Sequence, residues 1–173
     1  ELELVSEAAQ CHPVLLQALN PSVNWNQSGA GTRERVPFVW VPPLRRDVRT
    51  VLTPGRNPFF EHAQAQYFLA RSAGRTVGRI AAIRNDLHNQ THGDRIGFYG
   101  FFEAVDDREV AAALFGAAAG WLRARGCDTL RGPMSPSIND ECGLLVEGFD
   151  TPPVIMMPHN PRYYVALHDA CGF

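Results

Sequence analysis

Hydrophobic and polar residues alternate along the middle of the chain. Residues 66–71 and 76–83 are rich in β-branched and aromatic side chains, and Gly74 lies in the short segment between them. Two such runs around a glycine-containing turn predict a β-hairpin. Residues 85–94 are polar and are expected to form a loop, whereas the aromatic run at residues 95–105 predicts a strand that is covered on both faces.

The segment that follows has the period of an α-helix. Its apolar stripe consists of Val110, Leu114, Trp121 and Leu122. Asp106 offers an N-cap, and Glu109 three residues later completes the pattern of a capping box. Gly126 is expected to end the helix, and residues 127–131 have the composition of a short strand. Strand, helix and strand in this order predict a right-handed crossover between parallel strands.

The first third of the chain is less regular. Residues 1–36 are interrupted by prolines and glycines, and we expect a helix at residues 14–19 followed by a loop, as an extension of the main domain. The proline-marked segment 37–60 is expected to be extended. It would wrap against the core of a domain formed by residues 37–173 through its aromatic side chains, Trp40, Phe59 and Phe60.

The composition is that of one ordinary globular domain. The chain has 173 residues, of which 45% are hydrophobic, enough for a single core. The longest uncharged apolar stretch, residues 110–122, contains two glycines and is shorter than the roughly 20 residues that span a membrane. The acidic first residues do not fit a signal peptide. We therefore expect no membrane partner and a cytoplasmic location.

Charge and cysteine usage exclude several further classes. The net charge is −2 and the basic residues do not form the clustered patch that nucleic-acid binding uses, so no nucleic-acid partner is expected. The four cysteines are scattered without C-x-x-C spacing, which indicates reduced thiols. His88 and His92 have the spacing of metal ligands on a helix, but no third ligand is evident and no metal is expected.

Several phrases of the chain resemble those of a group of bacterial proteins in the GNAT N-acetyltransferase superfamily. The phrases are Trp40-Val-Pro-Pro-Leu44, Asn57-Pro-Phe-Phe-Glu-His62, Val77-Gly-Arg-Ile-Ala-Ala82, Gly132-Pro-Met-Ser-Pro-Ser137, Gly143-Leu-Leu-Val-Glu-Gly-Phe149, Asn160-Pro-Arg-Tyr-Tyr164 and the closing Gly172-Phe173. The order of elements over residues 64–173 is similar to that fold from its second strand to its fourth helix.

This resemblance implies an α/β (α+β) fold: a twisted, mixed, mostly antiparallel sheet with two splayed parallel strands and helices on both faces. Members of the superfamily continue beyond the equivalent of Gly172-Phe173, so the domain is expected to be incomplete at its C-terminus. A free sheet edge could then pair with a second copy of the chain to form a homodimer.

The function that the resemblance implies is transfer of an acyl group from acetyl-CoA or another acyl-CoA to a small-molecule or peptide amine. The pantetheine arm would lie between residues 101–105 and 130–134. The cofactor-binding residues would be Phe101, Phe102, Ala104, Val105, Arg131, Met134 and Asn160. The usual glycine-rich pyrophosphate loop falls on residues 106–111, where Asp106 and Asp107 would repel phosphate. This departure favours the alternative of a non-catalytic ligand-binding or interaction module.

Three residues are candidates for catalysis. Glu103 would be the general base if its aromatic neighbours raise the pKa of its carboxyl; the alternative is an ion pair with a nearby arginine. His168 occupies the position of the family's acid, where an imidazolium would protonate the leaving thiolate; the alternative is a favourable charge at a helix C-terminus. Tyr164 could supply a hydroxyl instead, or simply pack.

A polar segment after the second parallel strand is the candidate for acceptor binding. Irregular polar chain at the carboxyl end of a parallel strand is a common place for ligands. The residues are Ser135, Ser137, Asn139, Asp140 and Glu141. The alternative is that Ser137 or Asn139 caps a short turn.

Overall fold

A computed structural model describes residues 1–7, 44–152 and 154–173. Within these residues the fold is built on a five-stranded sheet with the spatial order β1-β2-β3-β4-β5. The strands are β1 Leu2–Glu7, β2 Ala63–Ser72, β3 Arg75–Asn85, β4 Ile96–Ala104 and β5 Thr129–Arg131. Neighbouring strands are antiparallel except β4 and β5, which are parallel. The predicted mixed, mostly antiparallel sheet is confirmed.

The predicted hairpin is formed by β2 and β3. Its two turn residues, Ala73 and Gly74, have φ values of 49° and 74°. Positive φ at both central positions is the conformation of a type I′ turn, whose twist matches that of the flanking strands. The predicted β-hairpin is therefore confirmed.

Strand β1 was not predicted. Residues 1–36 were expected to contain a helix and a loop, but Leu2–Glu7 pair antiparallel with β2, from Leu2 opposite Ser72 to Glu7 opposite Tyr67. These residues are therefore an edge strand of the main sheet. The helix expected at residues 14–19 and the contact expected for Trp40 lie outside the described residues.

The helices and the sheet form two cores. The helices are α1 Arg45–Leu52, α2 Asp86–His92, α3 Arg108–Arg123 and α4 Tyr163–Ala170, and a short 3₁₀ helix spans Pro58–Glu61. Helices α3 and α4 cover one face of the sheet around Phe102, Leu114 and Leu167, while α1 and the 3₁₀ helix cover the other. Strand β4 contributes to both cores, as predicted.

Two segments expected to lack helix contain one. Residues 45–52 form α1 within the segment predicted to be extended, because its prolines flank the helix and do not interrupt it. Residues 86–92 form α2 within the predicted loop. The Asn85 side chain accepts a hydrogen bond from the His88 N–H at the start, and Gly93 closes the end with φ 66°. These caps stabilise a helix that has no apolar stripe.

Helix α3 was predicted, but its N-cap differs by one residue. The Asp107 carboxylate, not that of Asp106, accepts from the N–H groups of Glu109 and Val110, at 2.8 and 3.4 Å. Glu109 is then the second residue of the helix, so the capping box does not form. The first donors of α3 are occupied by the helix's own cap.

Candidate functional site

Strands β4 and β5 separate a third of the way along β4. Their parallel ladder joins Ile96, Gly97 and Phe98 to Thr129, Leu130 and Arg131. Strand β5 ends there, while β4 continues to Ala104. The chain after β5 forms a separate two-stranded ribbon of β6 Met134–Ser135 and β7 Glu141–Cys142. Beyond Phe98, the side of β4 that faces away from β3 has no strand paired with it among the described residues, and we call this side the open edge.

A bulge shapes the open edge. The register with β3 shifts between Ala81 opposite Gly100 and Arg79 opposite Glu103, and Phe101 has a φ of 49°. Such a φ is strained for a bulky residue and is characteristic of a β-bulge beside a functional site. Before the bulge, Phe98 packs with the α1 core and Tyr99 with the α3 core. After it the alternation is reversed, since Phe101 packs with the α1 core and Phe102 with the α3 core.

Three hydroxyl groups occupy the open edge. The Phe101 N–H donates to Ser135 Oγ at 2.9 Å, and the Ala104 N–H donates to the Tyr164 hydroxyl at 3.1 Å. The Tyr163 hydroxyl donates to the Ala104 carbonyl at 2.9 Å. Backbone groups that were predicted to bond a pantetheine arm are therefore satisfied by side chains, each of which a ligand could replace one for one.

The reversed alternation places Glu103 on the same face as Arg79. The Arg79 Nη2 lies 2.7 Å from Glu103 Oε1, and the two side chains are 6% and 22% exposed. Burial raises the pKa of the Glu103 carboxyl, and the Arg79 charge opposes that rise. The structure thus shows the ion pair with arginine that was the alternative interpretation, on a carboxyl that is also desolvated, and the role of Glu103 as a base stays a prediction.

Arg79 was missed by the sequence analysis. It is buried, at 5% exposure, in a strand whose following residues, Ile80 to Ile83, are all core. An arginine at an inward position of an apolar strand is unusual because a buried cation needs a partner. That contrast was the available signal, but the partner depends on the β3–β4 register.

The two tyrosines of α4 bond the two backbone groups of Ala104, since the Tyr163 hydroxyl donates to its carbonyl and the Tyr164 hydroxyl accepts from its N–H. Tyr164 is buried, and burial together with the charge of Glu103 raises the pKa of its phenol well above the usual value. Burial, Asp106 and Glu103 likewise raise the pKa of Tyr163. Both phenols keep their protons at neutral pH, which suits them to orient a ligand and does not suit them to give up a proton.

His168 does not fit the imidazolium role that was predicted for it. Its ring is buried among Tyr99, Phe102 and Phe115, with ring centroids 5.0 to 5.9 Å away. Its Nδ1 lies 2.7 Å from the Tyr164 carbonyl oxygen and must donate to it. Burial lowers the pKa of the imidazole, and Nε2 is buried without a hydrogen-bond partner among the described residues. These surroundings favour the neutral form of the imidazole.

The polar segment after β5 divides into two parts. Ser137 Oγ donates to the Asp140 carboxylate at 2.6 Å and accepts from the Asn139 N–H at 3.2 Å, the turn that was the alternative interpretation. Ser135 lies against the open edge, and partial burial raises the pKa of Glu141 while the Arg79 charge opposes the rise. Of the five candidate residues in this segment, only Ser135 and Glu141 lie near the Glu103 region.

The remaining cofactor candidates have structural contacts. The Asn160 amide bonds the N–H and carbonyl of Leu145 and so ties the loop before α4. The Val105 N–H donates to the Val77 carbonyl in the sheet, and Arg131 is exposed at the end of β5. The Met134 backbone lies against β4 at Gly100. Any residue with a Cβ at position 100 would overlap the Met134 carbonyl oxygen, so glycine is needed there.

Neither a metal centre nor a membrane span is found in the described parts of the chain. His88 and His92 lie on α2 with ring centroids 4.4 Å apart, but residues 1–7, 44–152 and 154–173 contain no group of three potential metal ligands. In the same ranges, every helix is too short or too polar to cross a bilayer.

No family model matches the sequence. The chain is 44% identical over 134 residues to Protein YghO of Escherichia coli (strain K12), covering 78% of this chain and 34% of that protein. It is 50% identical over 125 residues to the bacterial ceramide synthase of Caulobacter vibrioides (strain NA1000 / CB15N), covering 72% and 33%. The chain therefore spans about a third of the length of these curated relatives.

Among solved structures, the chain is similar to a tandem GNAT protein from the clavulanic acid biosynthesis pathway. The TM-score is 0.58 and the sequence identity 19%, over 99% of this chain and 43% of that one. The parallel pair β4–β5, its separation and the helices on both faces of the sheet are the features that were expected from the sequence. The chain has the GNAT fold.

Proposed function

We propose that this chain carries the catalytic face of an N-acyltransferase, which moves an acyl group from an acyl thioester, such as acetyl-CoA or a longer acyl-CoA, to an amine. One observation carries the proposal. The Glu103 carboxyl lies just past the bulge, where β4 has parted from β5, and its surroundings raise its pKa. A desolvated carboxylate beside a free strand edge is suited to act as a base.

The roles of the groups follow from their chemistry. The amine attacks the thioester carbon, a C–N bond forms, the C–S bond breaks, and Glu103 accepts the proton that the amine loses. The leaving thiolate is protonated through water, and Glu103 gives that water the proton taken from the amine, so the base returns to its carboxylate form. Negative charge on the carbonyl oxygen needs fixed donors, and the N–H groups of Phe101 and Ala104 on the open edge are available by exchange with Ser135 and Tyr164.

The residues fit the thioester end of acyl-CoA and do not fit its pyrophosphate. At the start of α3, the Asp107 carboxylate occupies the donors that a phosphate would need, and exposed Asp106 adds a second negative charge. Phosphate is repelled by such a helix N-terminus. No step of the reaction is assigned to this helix.

A long-chain amine is the acceptor that we propose. One relative is named a ceramide synthase, and ceramides are amides of long-chain amino alcohols. The segment after β5 also exposes large apolar side chains, which suits an apolar substrate. They are Ile138, Val146, Val154, Ile155, Met156 and Met157.

A non-catalytic binding or interaction module is the second candidate. It is favoured by the two aspartates at α3 and by the hydroxyls that already satisfy the open edge. Pairing of two copies through the outer edge of β5, the last strand of the described sheet, stays a prediction of the same candidate.

Amide formation tests the proposal. The purified protein is incubated with a short-chain or a long-chain acyl-CoA and with a short-chain or a long-chain amine, and the amide is measured by mass spectrometry. Glu103→Gln is expected to lower kcat/KM by about 10²- to 10⁴-fold, the usual contribution of a general base. Glu3→Gln, at an exposed position of the edge strand β1, is the matched control and should not change it. Equal rates for Glu103→Gln and wild type would remove Glu103 as the base. Binding of acyl-CoA without amide formation would favour the second candidate.

A further inference from the structure

Arg79 is a buried charge at the site, and the proposed reaction assigns it no role. It lies directly opposite Glu103 in the β3–β4 register, and the contact joins one guanidinium nitrogen to one carboxylate oxygen at 2.7 Å. Arginine keeps its proton at every pH that a protein tolerates, so this charge does not switch off.

Such a pair is not explained by stability alone. Removing two charges from water is costly, and apolar side chains of similar size often stabilise a core as well as or better than a buried ion pair. The β-bulge supplies a second observation, because it reverses the alternation of β4 and so brings Glu103 out of the α3 core and onto Arg79. The strained backbone at Phe101 and the buried guanidinium of Arg79 therefore both determine where the Glu103 carboxylate lies.

We propose that Arg79 is the positioning residue for Glu103: it holds this side chain in the carboxylate form and fixes its direction on the face of the sheet that the two residues share. The inference rests on the proposed function, since a base must be both deprotonated and aimed. Without the guanidinium, a desolvated carboxyl would bind a proton near neutral pH and could turn about its side-chain bonds.

Among the described residues, titratable groups near the pair come from two elements. Glu141 lies on β7, and Tyr163 and Tyr164 lie on α4. The two phenols stay protonated and the arginine stays charged. Glu141 is the neighbouring carboxylate whose titration could be confused with that of Glu103, so each measurement is repeated in a Glu141→Gln background.

The first test measures the carboxylate and needs no substrate. The protein is labelled with ¹³C at the glutamate carboxyls, the Glu103 signal is assigned by its loss in Glu103→Gln, and the signal is followed against pH. In Arg79→Gln the titration midpoint should move upward by about one to three pH units, the usual effect of removing a neighbouring arginine from a carboxylate. Arg79→Lys, which keeps the positive charge, should restore most of the shift. An unchanged midpoint in Arg79→Gln overturns the inference.

The second test separates a positioning role from a merely structural one. In Arg79→Gln, the acidic limb of the kcat/KM profile should move upward with the NMR midpoint, and kcat should fall at the pH optimum while KM changes little. A pH profile that does not move, with a normal melting curve, contradicts the inference. If Arg79→Gln does not fold, Arg79→Lys decides: it should lower kcat because an ammonium does not reproduce the fixed guanidinium fork. An unchanged kcat in Arg79→Lys overturns the positioning role.

The two tests fail separately. If no variant and no wild type forms an amide, yet the Glu103 midpoint moves as expected, the proposed function is wrong and Arg79 is shown only to hold the charge of Glu103. If wild type forms the amide and the midpoint does not move, the proposed function stands and the inference about Arg79 falls.

Discussion

Two carboxylates at the junction of β4 and α3, which we call the Glu103 end and the Asp107 end of this junction, lie in opposite environments. At one end, Glu103 is desolvated and paired with buried Arg79 at 2.7 Å. At the other, Asp107 is exposed and its carboxylate caps α3 through two N–H groups. The same chemical group therefore has two roles, and the difference is set by burial and by the partner.

This contrast separates two parts of acyl transfer that are often considered together. The Glu103 end has what the chemical step needs, a base and backbone donors at a free strand edge. The Asp107 end lacks what phosphate binding needs, because its donors are used and its charge is negative. In the proposed function, the site therefore recognises the acyl donor by its acyl and pantetheine portions and not by its phosphates.

The largest expected effect is a loss of stability when β6 can no longer approach β4. Gly100→Ala would place a Cβ on the Met134 carbonyl oxygen, so Ser135 could no longer reach the Phe101 N–H. We expect a loss of about 3 kcal/mol in the free energy of unfolding, as for a severe overpacking. Urea denaturation measures it.

The matched control for that change is Gly116→Ala. Gly116 lies in α3 with open space around it, so alanine should stabilise the helix by about 0.5–1 kcal/mol. A Gly100→Ala variant as stable as wild type would show that the close approach of β6 is not required.

A smaller effect is expected at the Asp107 end. Asp107→Ser keeps a capping oxygen and removes the charge, so its stability should match wild type, whereas Asp107→Ala should lose about 1 kcal/mol. The serine variant should bind acyl-CoA about two- to fivefold more tightly, because one charge at a helix N-terminus is worth about 0.3–1 kcal/mol. Isothermal titration calorimetry with acyl-CoA and acyl-pantetheine measures the ratio. An equal gain for both ligands would mean that the phosphates do not meet α3.

The smallest expected effect is a pH dependence from His168. Burial lowers the pKa of this imidazole in the folded state, so the unfolded chain binds more protons as the pH falls through about 6.5, the ordinary histidine value. Its contribution to stability is present above that pH and is lost below it, with a slope of at most about 1.4 kcal/mol per pH unit. Glu103 has the opposite sign, since its raised pKa makes stability fall as the pH rises through it.

Comparison of wild type with His168→Asn isolates the histidine. The pH slope of the free energy of unfolding should flatten in the variant. Identical slopes in wild type and His168→Asn would show that the imidazole does not titrate differently on unfolding.

Local signals explain what could be predicted from the sequence. The β2–β3 turn and the α3 helix depend on residues close in the chain, such as Gly74 and the apolar stripe that includes Leu114, and both were predicted. Strand β1 was missed because six residues become a strand only by pairing with β2, far along the chain. An ion pair of Glu103 with an arginine was an alternative interpretation, but Arg79 was not identified as the partner, because the pairing depends on a register shift and on the positive φ of Phe101, for which phenylalanine gives no signal.

In the proposed function, an acyl donor lies along the open edge beside Glu103. The most direct test is ¹⁵N-amide NMR of the protein titrated with an acyl-pantetheine analogue that cannot be cleaved. The account predicts that the amide signals of Phe101 and Ala104 shift as the ligand replaces Ser135 and Tyr164, while those of Glu109 and Val110 at α3 do not. Saturable binding that leaves Phe101 and Ala104 unchanged, or no binding, would contradict it.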